Sequence, residues 1–143
     1  MKRLKLSALN VVSLVACGLL ITACATIAPS NQAATQQAVS GKAWSLTLMD
    51  KAVEPYSLHA TEVDSLKQTL TADYAFAKAE PKNQMSAQQW SILIDPDHHL
   101  LGGFLNRWKT EGKLDSGFVV EEKKMVSDAF DAIIGLESGK AKP

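Results

Sequence analysis

Cysteine is missing from almost all of this chain. The only two, Cys17 and Cys24, lie in the first 24 of 143 residues. From residue 25 onward no disulfide can staple a fold and no thiolate can hold a metal or attack a substrate. Basic charge is not in excess either: 15 Lys and Arg balance 15 Asp and Glu. The basic residues after the N-terminus cluster no further than Lys123-Lys124 and Arg107-Trp108-Lys109. A protein that tracks phosphates needs a basic stripe, so nucleic-acid binding is disfavoured. Strand signals are absent too. β-Branched residues are scattered and no Asn-Gly or Asp-Gly hairpin turn occurs, which leaves helix as the regular structure to look for. No internal repeat, phosphate-binding glycine loop, haem attachment sequence or Gly-x-Ser-x-Gly elbow is present, and the serines at 57, 65, 86, 91, 116 and 127 have no motif around them.

What the chain does have is an informative start. Lys2, Arg3 and Lys5 precede a stretch from Leu6 to Leu20 that is apolar apart from a few small or polar residues, and Ile21-Thr22-Ala23-Cys24 follow. A positive n-region and an apolar run too short and too weak for a permanent span predict a cleaved export signal over residues 1–23. The small residues directly before Cys24 resemble the lipobox of bacterial lipoprotein signal peptides, whose cysteine is lipidated and becomes the mature N-terminus. Leu14-Val15-Ala16-Cys17 is an alternative match. Cys24 is preferred because cutting at Cys17 leaves Gly18 to Cys24 as an exposed apolar tail. The resemblance implies a covalent lipid, palmitate included, on the mature N-terminal cysteine. Because Ala25 is not aspartate, it also implies retention at the outer membrane, facing the periplasm. Removing the three n-region cations leaves 12 basic side chains against 15 acidic ones, a net charge of −3.

The expected domain organisation follows. Residues 24–43 are the lipidated cysteine and a tether, because Ala25 to Gly41 are rich in Ala, Gln, Ser and Thr, with Ile27 and Val39 the only large apolar residues. Seventeen flexible residues span roughly 20–25 Å. Residues 44–140 form one domain and 141–143 a tail. About a hundred residues bury enough surface to fold without metal or disulfide.

Within that domain the hydrophobic period is helical. Met49, Val53, Tyr56, Ala60, Val63, Leu66, Leu70, Tyr74 and Ala77 alternate three and four apart, the mark of one apolar helix face. Pro55 interrupts the pattern, so this helix is either kinked or restarted there. Trp44 to Leu48 alternate as a strand would, but a lone strand has no partner, and the segment is read as helix. Pro81, Lys82 and Asn83 end the element. Glu62 and Asp73 read as ordinary members of a polar helix face. Ser86 with Gln89 forms a capping box, with Met85 and Trp90 at the staple positions. Asp95 and Pro96 suit the N-cap and first position of a third helix, whose stripe is Leu100, Leu101, Phe104, Leu105 and Trp108 and whose end is Gly112. The last helix opens at Asp115-Ser116, buries Val119, Val126, Phe130, Ile133 and Ile134, and closes at Gly139. The expected fold is all-α, a small bundle of three to four helices after a flexible tether.

Two sites are worth following. Asp95, His98 and His99, with His59 from the preceding helix, are candidate metal or small-ligand residues, although adjacent histidines on a helix point about 100° apart. Arg107, Trp108 and Lys109 are a candidate protein interface of the aromatic and arginine type, while packing is the stronger expectation for Trp44, Trp90 and Trp108. Gly102-Gly103 contradicts its helical surroundings at roughly 2 kcal/mol against two alanines, which points to close approach of a neighbouring element. No catalytic residue and no cofactor beyond the lipid is expected. The functional expectation is a non-enzymatic interaction module, an adaptor, assembly factor or inhibitor, anchored to the membrane by its lipid and bound to an envelope protein. The alternative is a small-ligand or metal-binding lipoprotein with a pocket between helices.

Overall fold

The computed structural model describes residues 30–139. The export signal, Cys17, Cys24, the first part of the tether and the tail 141–143 lie outside the described residues. Five α-helices account for most of the rest: α1 (Gln32–Asp50), α2 (Ala60–Ala79), α3 (Gln84–Ile94), α4 (Leu101–Glu111) and α5 (Ser116–Ser138). No strand occurs among the described residues, so the all-α expectation holds. None of these helices is long and apolar enough to cross a membrane.

The first helix corrects the tether boundary. Residues 32–43 are not tether but the opening turns of α1, capped by Asn31, whose Oδ1 accepts from the amides of Ala33 at 3.0 Å and Ala34 at 3.2 Å. Ala34, Ala38, Gly41 and Ser45 are buried on one face. At Gly41 a β-carbon would stand 3.1 Å from Leu70 and 3.4 Å from Phe130, so α1 approaches both α2 and α5 closely. A helix packed through small residues carries little bulk hydrophobicity, which is why its composition looks like a linker.

Pro55 restarts the helix. Asp50 ends α1, single 3-10 turns follow at Lys51–Val53 and Tyr56–Leu58, and Glu54 is extended, as the residue before proline tends to be. This strap hydrogen-bonds to the α4–α5 connection: the Tyr56 amide donates to the Gly112 carbonyl at 2.6 Å and the Leu114 amide to the Ala52 carbonyl at 2.8 Å. Val53, which the apolar pattern includes, is therefore exposed.

Contacts along the helices fix the topology. Lys42 pairs with Asp131 and Lys123 with Asp50, so α1 and α5 run antiparallel. Asn31 meets Glu80 and Lys51 meets Glu62, so α1 and α2 also run antiparallel. Trp90 lies edge-on to Phe130 and Phe104 stacks on Phe118, so α3 and α4 in succession run against α5 and together make the fourth wall of the bundle. Four walls built from five helices meet the upper end of the expected count. The core between them is filled by Trp90, Trp108, Phe130, Leu48, Met49, Leu66 and Leu70, all at most 2% exposed.

Helix ends agree with the sequence in some places and not in others. Gly112 closes α4 in the left-handed region, at φ +82, where glycine has no steric penalty. Asp115 caps α5, accepting from the amides of Gly117 and Phe118, and Gly139 follows its last residue. The capping box at Ser86 does not form. Helix α3 begins two residues earlier, and Ser86 is buried inside it, donating its hydroxyl to Glu137. Asn83, just before the helix, donates to the Ala77 carbonyl at 2.9 Å and to Glu137 at 3.3 Å. Asp95 and Pro96 do not open α4 either, because α4 starts at Leu101 after a six-residue turn.

Candidate functional site

The turn between α3 and α4 carries the densest set of polar side chains singled out by the sequence. Its geometry is local. Asp95 Oδ1 accepts from the Asp97 amide at 2.9 Å, an Asx turn, and the His98 amide donates to the Asp95 carbonyl at 3.3 Å. The Asp95 side chain thus caps a turn and not a helix. The chain then doubles back so tightly that a β-carbon at Gly102 would strike the carbonyls of Ile94 and Asp95, and one at Gly103 the carbonyl of His98. The close approach expected at these glycines is real, and its source is the preceding turn of the same chain.

Folding the turn onto α4 opens a cleft of about 290 Å³ lined by Pro96, Asp97, His98, His99, Gly103, Phe104, Arg107, Phe118 and Glu122. Helix α5 contributes the far wall. Phe104 and Phe118 stack with ring centres 6.1 Å apart, and the Arg107 guanidinium lies 4.1 Å over the Phe118 ring, held in a cation–π arrangement. Arg107 Nε also bonds Glu111 at 2.7 Å, one turn along α4. Burial pushes the Glu122 carboxyl above the ordinary carboxylate range; the charges of His99 and Arg107 pull it back down, and Glu121 adds to the rise. Chemically, the cleft offers an anionic group the imidazoles of His98 and His99 and the guanidinium of Arg107, with the carboxyls of Asp97 and Glu122 to accept a proton or a hydrogen bond.

The four candidate ligand residues are not brought together. His98 Nε2 is 3.7 Å from Asp95 Oδ2, and His99 borders the same cleft. His59 stands at the other end of α4, where its ring lies 5.6 Å from that of Trp108 and its Nε2 is 2.9 Å from Glu54 Oε2. Its Nδ1 is buried with no hydrogen-bond partner, Glu62 being 3.8 Å away. Glu62 is committed elsewhere: a hydrogen bond from Lys51 holds its carboxyl below the usual range, desolvation opposes that shift, and the Lys51 and His59 charges add to it. Among the described residues, no three or more His, Cys, Asp or Glu side chains are arranged to hold a metal ion.

The interface candidate also divides. Trp108 is fully buried, its Nε1 donating to the Glu54 carbonyl at 3.1 Å and its ring edge-on to Tyr56. It locks the strap to α4 and cannot contact a partner; Arg107 and Lys109 remain on the surface. The buried state of Trp108 and Trp90 agrees with the packing expectation, whereas Trp44 is 37% exposed.

Two carboxylates were missed. Asp73 is only 7% exposed and Glu137 is fully buried. Asp73 is therefore not on a polar face. A signal existed for both: Leu70, Asp73 and Ala77 keep the three-four spacing of the α2 core face, and Phe130, Ile133 and Glu137 keep it on α5. A charged residue in an apolar register is informative because burying it unpaired is costly.

No protein-family model matches this chain, and no curated protein or solved structure matches it either.

Proposed function

We propose that this chain is an outer-membrane lipoprotein, anchored through Cys24 and facing the periplasm, whose helical bundle is a non-enzymatic module that binds another envelope protein. The signal sequence and its lipobox support the anchor. The topology supports the orientation. Six residues lie between Cys24 and the Asn31 cap, seven Cα steps with a reach of at most about 24 Å, so an anchor at Cys24 keeps the cap near the bilayer. The Asn31 to Glu80 and Asn83 to Glu137 contacts place the end of α2, the start of α3 and the end of α5 at that same end. With α1 about 28 Å long, the strap and the start of α5 form the end held away from the lipid.

The observation that carries the reading is what this far end displays. Leu58 is 69% exposed, Val120 68% and Val53 41%. They are three of the seven large hydrophobic side chains exposed on the described surface, and they lie on segments that the strap hydrogen bonds tie together. Large apolar side chains left exposed at one end of a domain are candidates for a protein contact surface.

The test places a photo-crosslinking amino acid at Leu58, Val120 or Met85 in intact cells. Met85 is as exposed as the others but sits at the near end. A discrete adduct from Leu58 and Val120 but not from Met85 is the expected result. No adduct at any position, or equal adducts at all three, overturns the reading of the far end. Mass spectrometry of the mature protein checks the anchor independently: lipid on Cys24 is expected, and an unlipidated N-terminus removes it.

A second reading, a small-ligand-binding lipoprotein, is favoured by the cleft beside His98 and His99. Native mass spectrometry of the mature protein, compared with an H98A/H99A variant, tests it. A bound mass that survives both substitutions sinks that site.

A further inference from the structure

The opposite face of the bundle holds a second cleft, of about 360 Å³, between α1 and α2. Every residue that α1 gives it falls on one helix face: Ala33, Gln36, Gln37, Ser40, Gly41 and Trp44. Helix α2 adds Thr69 and Asp73. Gly41 and Asp73 are the buried members and make the base; Gln36, Ser40, Trp44 and Thr69 are exposed and make the rim. Three properties of this arrangement point the same way. Asp73 is only 7% exposed as a residue, its carboxylate oxygens keep a little contact with the cleft's solvent, and among the described residues no hydrogen bond or charge acts on that carboxyl. No residue lining the cleft is basic, so its one formal charge is negative. The half-exposed indole of Trp44 borders the same space.

A buried carboxylate without a partner is a cost that the fold retains. Burial raises the Asp73 carboxyl above its ordinary range, with no neighbouring charge acting on it. A ligand that brings a positive charge relieves that cost, and an aromatic face beside the carboxylate selects the kind of charge. Cations with alkyl surface are attracted to an indole face, and an ammonium group hydrogen-bonds strongly to a carboxylate. A metal ion is a poor match because it would find a single carboxylate there. The volume lies within the range of small-molecule sites.

We infer that the α1–α2 cleft is a binding site for a small organic ammonium ion, with Asp73 as the counter-charge and Trp44 as the aromatic wall. The site holds whether or not Cys24 is lipidated, and it is separate from the cleft beside His98 and His99.

The experiment uses the full chain in a neutral detergent, labelled with nitrogen-15 at its three tryptophan indoles, with the Trp44 signal assigned by its loss in W44F. Ethylammonium chloride is titrated against sodium chloride of equal concentration. The Trp44 indole cross-peak should move saturably with ethylammonium and not with sodium, while those of Trp90 and Trp108 stay in place. Asp73→Asn should weaken binding at least tenfold with all three cross-peaks still dispersed. Ser40→Lys, on the exposed rim, places a competing ammonium beside the carboxylate and should abolish the shift, which keeps the test decisive if D73N folds poorly. A Trp44 shift equal in sodium chloride, or saturable binding that survives Ser40→Lys, overturns the inference.

Discussion

Helix α5 and the wall formed by α3 and α4 span the same length of the bundle, yet one is a single helix of 23 residues and the other is broken by a six-residue turn. The difference lies in where each keeps its polar demands. In α5, the cap at Asp115 and the core residues Val119, Val126, Phe130 and Ile133 all agree on one register, so local preference and packing reinforce each other. In the broken wall, Asp95 spends its side chain on a turn, and two glycines let α4 begin against the carbonyls of the turn itself. The break is also the only part of that wall to present histidines, and the cleft it opens is the polar one. A continuous wall holds the fold; an interrupted one makes room for a site.

Substitutions at the two walls should separate these roles. The largest effect is expected at Trp108, which fills the core at the far end of α4 and ties the strap down through the Glu54 carbonyl. Trp108→Ala should lower stability by about 3–5 kcal/mol, read by urea unfolding, and should loosen residues 51–58 in hydrogen exchange before the rest of the chain. Next comes the break itself. Gly103→Ala forces a β-carbon against the His98 carbonyl and should cost about 1–3 kcal/mol. If G103A is instead as stable as the parent, the tight turn onto α4 is not a constraint on the wall. Smaller still is the start of the unbroken wall: Asp115→Ala removes acceptors for two amides and should cost about 1 kcal/mol, without changing the packing of α3 or α4 as judged by near-UV circular dichroism.

The same contrast explains what could be read in the sequence. Helix α5 was legible from end to end because Asp115, the apolar stripe and Gly139 each carry a local signal. The end of α4 at Gly112 and the stripe from Leu100 to Trp108 were legible for the same reason. The start of α3 was not. Asn83 and Ser86 are both good caps, and the deciding factor is a demand from another helix: Glu137, buried on α5, takes the Ser86 hydroxyl and the Asn83 amide. The opening of α1 was hidden by its small residues, whose value lies in the closeness they permit at Gly41 and not in their own hydrophobicity. At the candidate site, the adjacency of His98 and His99 to Asp95 was visible, whereas the distance of His59 depends on how α4 folds back, which no spacing reveals. Packing is the stronger expectation for Trp108 and its burial agrees, but its bond to the Glu54 carbonyl depends on the strap crossing α4, which no local spacing reveals.

The smallest effect belongs to the α1–α2 side, where neither wall is broken, and there the sign is reversed. Glu137 and Asp73 are both buried carboxylates, but Glu137 is held by hydroxyl and amide donors while Asp73 faces a cleft. Asp73→Asn should therefore raise stability at neutral pH, by about 0.5 kcal/mol, in a protein without ligand. Its folded carboxyl titrates above its unfolded value of about 3.9. The charged form is disfavoured in the folded state, so the native protein takes up this proton first as pH falls, and the Asp73 contribution to stability rises from the folded value down to the unfolded one. The advantage of D73N should be full at pH 7 and gone near pH 3. Glu62 moves the opposite way, losing its stabilising contribution as pH falls through its lowered value, but it is common to both proteins and cancels in the difference. Urea unfolding of the pair across that range reads the result directly. A D73N that is less stable than the parent at pH 7 would mean that the carboxylate has a partner within the fold, and the contrast with Glu137 would disappear.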